Sequence, residues 1–304
     1  MESKSVTALV SAFSRAYHSM QYTEKIFDDH LAKKIVTEDE YQEIASNMSK
    51  GIGFFNPSFV GTPEEALQWI VNQQLSPSPL GRAAFAEKSL ESAVRFGARQ
   101  YLIFAAGYDT FAYRQPDWAS QLEIFEIDHP VMSVEKQKRV QKLITSQPEN
   151  LHFVAADFTE HNLERTLLGY PDFNDNKISF CSLLGISYYL PQQAFIETIN
   201  TISRLVPKGS SIVFDYPDEY TYTDHAGERV KKQTAMVRVA NEEMLASYSY
   251  TEIEKLLADN HFLIYEHLTP NEITEQYFEK YNQANPEQPM TAFDHVNYCL
   301  AVRK

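Results

Sequence analysis

Basic residues are scarce in this chain: 27 Lys and Arg face 41 Asp and Glu across 304 residues, a formal net charge of −14. A phosphodiester backbone and an anionic bilayer surface both attract the opposite balance, so neither a nucleic acid nor a membrane is expected as a partner. Cysteine is scarcer still. Cys181 and Cys299 allow only one pair, too few for a disulfide framework, and each falls in a predicted strand, so both are expected to be reduced core residues. No run approaches the ~18 continuous apolar residues of a membrane helix, and Met1-Glu2-Ser3-Lys4 is not a basic segment leading into an apolar one. A cytoplasmic protein is the expectation. Also missing are a nucleophile elbow, a phosphate-cradling Walker loop and any zinc-ligand spacing. Asp28-Asp29-His30 is the cluster nearest to a metal site, but no second cluster supplies further ligands. No metal is expected, and the tripeptide reads as a solvated helix end or turn. Internal repeats and low-complexity tracts are absent.

Apolar residues are plentiful, 43% of the chain, enough for one large α/β domain or a domain with a cap. The sequence is organised around residues 100–130. Tyr101-Leu102-Ile103-Phe104-Ala105 reads as a buried strand, Ala106-Gly107-Tyr108-Asp109-Thr110 as a small-residue turn, and Glu123-Ile124-Phe125-Glu126-Ile127-Asp128 as a second strand. A strand, a glycine turn and an acid about 20 residues onward is the layout of a nucleotide-binding βαβ unit, with Asp128 placed to take ribose hydroxyls. The turn itself is short of glycine. A Gly-x-Gly-x-x-Gly frame would put Ala105, Gly107 and Thr110 at its three glycine positions. Asp109 would further set a carboxylate where a pyrophosphate sits, and like charges a few Å apart in a cleft repel by on the order of a few kcal/mol. A phosphate-free nucleoside suits this turn better. S-adenosylmethionine has ribose and adenine, no phosphate, and a cationic sulfonium and ammonium that acidic loop residues attract, so methyl transfer to a small-molecule acceptor is the expected reaction.

The segment Ala106-Gly107-Tyr108-Asp109-Thr110-Phe111-Ala112-Tyr113-Arg114, followed by Phe125-Glu126-Ile127-Asp128-His129-Pro130 and Lys136, resembles the leucine carboxyl methyltransferase family and its bacterial polyketide O-methyltransferase relatives. The resemblance extends back to Arg82 and Arg15-Ala16-Tyr17-His18 and forward through Asp157-Phe158 and Tyr188-Tyr189-Leu190, so it covers nearly the whole chain. It implies a doubly wound, mostly parallel seven-stranded sheet of the class I methyltransferase type, with an antiparallel last strand and a helical N-terminal cap. It also implies S-adenosylmethionine contacts from Arg82, Gly107, Asp109, Asp128, His129, Asp157, Phe158 and Leu184. Arg82 would hold the methionyl carboxylate, Asp157 would accept from the adenine amino group, and Phe158 would cover the ring. Two positions depart from the family: Ala105 stands where glycine is usual, and Leu184 ends the fourth strand where some members carry an acid.

The remaining chain alternates strands and helices, which itself indicates a doubly wound sheet. The expected division is a helical cap over 1–80 and a cofactor-binding domain over 81–304, with an inserted helical segment at about 217–250. Glycine and proline mark 51–63 as a loop, and Ser76-Pro77-Ser78-Pro79 is expected to break the helix opened by Pro63. A helix over 80–96 would then carry Arg82 in its first turn and end at Gly97. Pro130 is expected to open a helix over 131–144 with Lys136, Lys138 and Arg139 on its outer side. Further helices are expected over 192–205 and 228–246, and from a Thr251-Glu252-Ile253-Glu254 capping box to about Asn260.

Displacement at a sulfonium methyl depends on alignment and exclusion of water more than on a nucleophilic side chain. A carboxylate acceptor needs no general base, whereas a hydroxyl acceptor needs one; His18, His129 and Tyr189 are the candidates, and His18 and Tyr189 are counted as catalytic. The alternative reading is a non-catalytic S-adenosylmethionine-binding protein whose cap engages a protein partner. A nicotinamide oxidoreductase is disfavoured by the turn. No feature specifies an oligomeric state or selects carboxylate over hydroxyl.

Overall fold

Seven strands form one sheet in the order β3-β2-β1-β4-β5-β7-β6 in the computed structural model, which describes residues 5–143, 146–160, 162–239, 242–244 and 246–304. The strands are β1 (Gln100–Phe104), β2 (Glu123–Asp128), β3 (Leu151–Ala155), β4 (Ser179–Leu183), β5 (Ser211–Pro217), β6 (Phe262–Leu268) and β7 (Val296–Arg303). All neighbours from β3 to β5 are parallel, and β7 runs antiparallel to both β5 and β6. This is the doubly wound, mostly parallel architecture expected from the sequence. The chain moves outward from β1 through β2 and β3, then returns to β4 on the other side of β1. Strand order therefore reverses between β1 and β4, and an open α/β sheet has its ligand crevice outside the carboxyl ends at such a point.

Strands β1, β4 and β5 are buried along their whole length, as parallel strands covered on both faces must be. The side chains of β1 divide between two layers. Tyr101 and Ile103 join a cluster with Phe13, Tyr17 and Phe85 from the preceding helices, while Leu102 and Phe104 join one with Phe195, Ile199 and Ile253 on the other face. The helices ahead of the sheet thus share a continuous core with it.

Among the described residues, the helices of eight residues or more are α1 (Val6–Gln21), α2 (Glu38–Lys50), α3 (Pro63–Ile70), α4 (Pro77–Arg95), α5 (Pro130–Val140), α6 (Gln192–Leu205), α7 (Gly227–Val239) and α8 (Tyr250–Asp259). Several local expectations change. The break at Ser76-Pro77 is a widening of the helix rather than a stop: Val71–Leu75 forms a π turn, Ser76 stays in the helical region, and Pro77 opens α4. Proline is tolerated there because the first turn leaves N–H groups unpaired anyway. Arg82 consequently lies in the second turn of α4. The 51–63 loop includes a short helix, Ile52–Phe55. The capping box of α8 is Ser249 with Glu252, two residues earlier than expected. The helix expected to reach Ala246 ends at Val239, with 240, 241 and 245 outside the described residues, as is Ile144 at the end of the α5 expectation.

The largest correction concerns α5. Lys138 is exposed as expected, but Lys136 and Arg139 face inward. The Lys136 ammonium lies 2.7 Å from Glu126 on β2, both side chains 2% exposed and aligned poorly for a hydrogen bond. Burial pushes the Glu126 carboxyl up to about 7 while Lys136 opposes the shift. Arg139 reaches across to α2, donating to both oxygens of Glu40 at 2.7 Å and to the Ile35 carbonyl. Two cations read as solvent-facing are instead ties between layers.

Candidate functional site

The turn after β1 is built on two left-handed residues, Ala105 at φ 51 and Gly107 at φ 47, which turn the backbone sharply across the end of β2. This reversal aims the Gly107 amide at Asp128 Oδ2, 2.6 Å away, while the His129 amide donates to Oδ1 at 2.7 Å. Burial raises the Asp128 carboxyl and these two amides oppose it. Each oxygen accepts one N–H and keeps lone-pair capacity for a ligand hydroxyl. The same bonds commit the Gly107 and His129 amides to a carboxylate, so neither is offered to a phosphate. Asp109 accepts from the Phe111 amide at 2.8 Å, closing the turn.

Asp157 follows β3. Its Oδ1 accepts from the Thr159 amide and hydroxyl, which together lower its carboxyl, and its Oδ2 lies 3.8 Å from His129 Nε2. Phe158 packs near Phe104, with ring centroids 6.1 Å apart. Across the crevice, Arg82 Nη1 sits 3.4 Å from Oδ2 of Asp215, in the carboxyl-terminal half of β5. Asp215 is fully buried; it also accepts from the Gly185 amide at 2.6 Å and the Tyr188 hydroxyl at 2.8 Å. Gly185, at φ 68, is required by this arrangement, because a Cβ there would lie 2.3 Å from Arg82 Nη1. The arginine lies over bare backbone.

Arg82, Gly107, Asp109, Asp128, His129, Asp157, Phe158, Leu184 and Tyr189 all line one cavity of about 860 Å³. His18 is not brought to it. Its ring is buried between Tyr22 and Tyr281, and Nε2 accepts the Ile26 amide at 3.0 Å. Burial holds its pKa down at about 4, so His18 is a neutral structural acceptor outside the cavity. Tyr189 lines the cavity, but burial pushes its hydroxyl up to about 12, too high for a base at neutral pH.

Three participants were not singled out from the sequence. Asp215 had a positional signal, since it lies in the carboxyl-terminal half of a strand, toward the side of the sheet where Asp157 follows β3. Asp29, read as part of a solvated tripeptide, is 1% exposed: it binds Arg15 at 2.8 Å and the Thr110 hydroxyl at 2.6 Å. Arg15 donates onward to the Tyr108 carbonyl at 2.7 Å, so this group pins α1 to the nucleotide turn. Glu242 accepts from the Val6 amide at 2.7 Å and the Thr7 amide at 3.1 Å, capping α1 from the segment after α7. No sequence pattern connects residues so far apart.

A switch-point crevice with an acid at the end of β2, a glycine turn whose Gly107 amide is given to that acid, and a guanidinium lining the same cavity define a class I S-adenosylmethionine-dependent methyltransferase. The comparisons agree with it. The leucine carboxyl methyltransferase profile matches residues 8–203, and the chain belongs to that family. It is 40% identical over 305 residues to "Putative S-adenosyl-L-methionine-dependent methyltransferase YktD" of Bacillus subtilis (strain 168), covering 99% of this chain and 98% of that one. Among solved structures, a DUF574 family protein from Streptomyces avermitilis superposes with a TM-score of 0.61 at 12% identity, over 97% of each chain. The crystal structure of a "putative methyltransferase" from Thermobifida fusca YX gives 0.52 at 14% identity, covering 98% of this chain and 94% of that one. These two bear on the fold alone. Among the described residues no helix is long and apolar enough to cross a membrane, and no three metal-ligating side chains cluster.

Proposed function

We propose that this chain is a cytoplasmic O-methyltransferase acting on a carboxylate or hydroxyl of a small, polyketide-like molecule, with residues 1–80 as its cap and 81–304, including an insertion at about 217–250, as its cofactor domain. Asp128 takes the ribose hydroxyls, Asp157 the adenine amino group, Phe158 one face of the ring and Arg82 the methionyl carboxylate; Gly107, Asp109, His129 and Leu184 complete the wall. The bound cofactor supplies an electrophilic methyl on a sulfonium, and the protein's contribution is alignment and the exclusion of water. One observation carries the reading: the cavity that holds Asp128 and Arg82 continues under α1 and α7 to Val6, Val230 and Met236. At about 860 Å³ it stands near the top of the ~300–1,000 Å³ usual for ligand pockets, which leaves room for an acceptor beside a nucleoside.

The test is to incubate the protein with methyl-labelled S-adenosylmethionine and fractionated small molecules, then follow label and mass. Label in a small organic product, with one S-adenosylhomocysteine formed per methyl, is the expected result. Tight cofactor binding with no S-adenosylhomocysteine formed from any fraction would favour the non-catalytic reading instead.

A further inference from the structure

The cations lining the cavity can be followed one by one. Among the described lining residues there is no lysine, and the arginines are Arg15, Arg82 and Arg114. Arg15 gives Nε to Asp29, Nη1 to Ser11 and Nη2 to the Tyr108 carbonyl. Arg114 gives Nε to Thr110 and both terminal nitrogens to Glu87. Every guanidinium nitrogen of Arg15 and Arg114 thus already donates to a protein acceptor, whereas Arg82 makes one hydrogen bond, from Nη1 to Asp215. The part of the cavity formed by the cap and the insertion has apolar walls, including Phe27, Met48, Leu75, Val230, Met236 and Phe293. Its polar groups there are the neutral Gln74, Gln233 and Thr234, with the carboxylates of Glu242, Glu243 and Asp294 toward its exposed side.

We propose that this end of the cavity takes an uncharged, largely apolar molecule and presents a hydroxyl of it for methylation, in preference to a free carboxylate. The proposal rests on the function given above, and in particular on Arg82 serving the methionyl carboxylate. Among the described lining residues, Arg15 and Arg114 are committed to Asp29 and Glu87, which would leave Arg82 to be shared between two anions. A carboxylate acceptor would be desolvated among methionine and valine side chains in a cavity whose lining also carries the carboxylates of Glu242, Glu243 and Asp294, and a buried anion without a partner is strongly disfavoured. A hydroxyl requires only a hydrogen bond, which an amide or hydroxyl side chain can make. In the transfer, a lone pair of the acceptor oxygen forms the new O–C bond as the C–S bond breaks. The sulfonium becomes a neutral thioether, and the hydroxyl proton passes to the carboxylate of Glu243 or Asp294 at the exposed side of the cavity, which serves as the base.

Calorimetry on protein saturated with S-adenosylhomocysteine would compare para-butylphenol with para-butylbenzoate, which differ only in the acceptor group. The phenol is expected to bind about tenfold or more tightly, and to be the one methylated when S-adenosylmethionine replaces the product. Gln233→Lys adds a cation to the apolar end and should raise benzoate affinity by about tenfold, with S-adenosylhomocysteine affinity as the check on folding. Equal or tighter benzoate binding by the natural protein, binding of neither compound, or no gain for benzoate in Gln233→Lys would overturn the proposal. Failure to bind S-adenosylhomocysteine at all would instead remove the proposed function beneath it.

Discussion

At the level of single residues, two side chains hold positions that make them measurable. Ala105 adopts φ 51, where a Cβ is strained by roughly 1–2 kcal/mol, and it does so in the turn that delivers the Gly107 amide to Asp128. Ala105→Gly removes that strain and gives back part of the gain as unfolded-chain entropy, so a net stabilisation of about 0.5–1 kcal/mol is expected. Urea denaturation would show it as a higher midpoint at unchanged slope; a lower midpoint would mean that the lost methyl contact outweighs the strain. His18 gives a pH signature. Its folded pKa, about 4, lies below the ordinary histidine value of 6.5, so it stays neutral in the native state where the unfolded chain takes up a proton. The stability it contributes is present above 6.5 and is lost as pH falls toward 4, on the order of 3 kcal/mol in all. His18→Gln keeps an acceptor for the Ile26 amide without the titration. Its stability should therefore fall less than the natural protein's between pH 7 and pH 4, and identical acid profiles would assign the acid sensitivity to other groups.

At the level of elements, the cap is tied down by charges. Asp29 joins the segment after α1 to Arg15, Arg114 and Thr110, so the nucleotide turn and the cap share one buried ionic group. Removing the carboxylate leaves two arginines facing each other's charge in a buried setting, and Asp29→Ala is expected to cost ~3–5 kcal/mol. Asp29→Asn, which retains hydrogen-bond acceptors, should cost less. Equal losses in the two variants, read by denaturant titration, would show that the charge itself is immaterial.

These ties also explain what was legible in the sequence. The strand, the glycine turn and Asp128 lie within 30 residues and obey local rules, so they could be read directly, as could the full extent of α6. The ion pairs could not. Arg139 meets Glu40 from 99 residues away and Arg82 meets Asp215 from 133, and whether a charged side chain faces water or a partner is decided only when those segments meet. A lysine on an amphipathic helix is expected outside, and Lys136 was read that way because Glu126 looked like one polar residue in a strand rather than its buried partner. His18 failed as a catalytic candidate for the opposite reason: its residue type suggested chemistry, and its packing made it an acceptor for one backbone amide.

At the level of the whole molecule, cofactor binding should report on folding. A ligand held only by the native state stabilises by RT ln(1 + [L]/Kd), about 2.7 kcal/mol at a hundredfold excess over Kd. S-adenosylmethionine is therefore expected to raise the unfolding temperature of the natural protein. Asp128→Ala, losing charge-assisted hydrogen bonds of ~1.5–3 kcal/mol, should show much less shift at the same concentration. A variant with the full shift would take Asp128 out of the cofactor site. The sheet order has a different consequence, for the sequence in which the molecule is assembled. Among the described strands the backbone of β6 pairs with β7 alone, and β7 also closes the side of β5, so β6 has no place in the sheet until β7 has docked. Until then β5 presents an open edge of buried character to any other extended chain. Refolding should thus pass through a stage with five paired strands, during which dilution favours recovery. In pulse-labelled hydrogen exchange the amides of β6 would gain protection no earlier than those of β7.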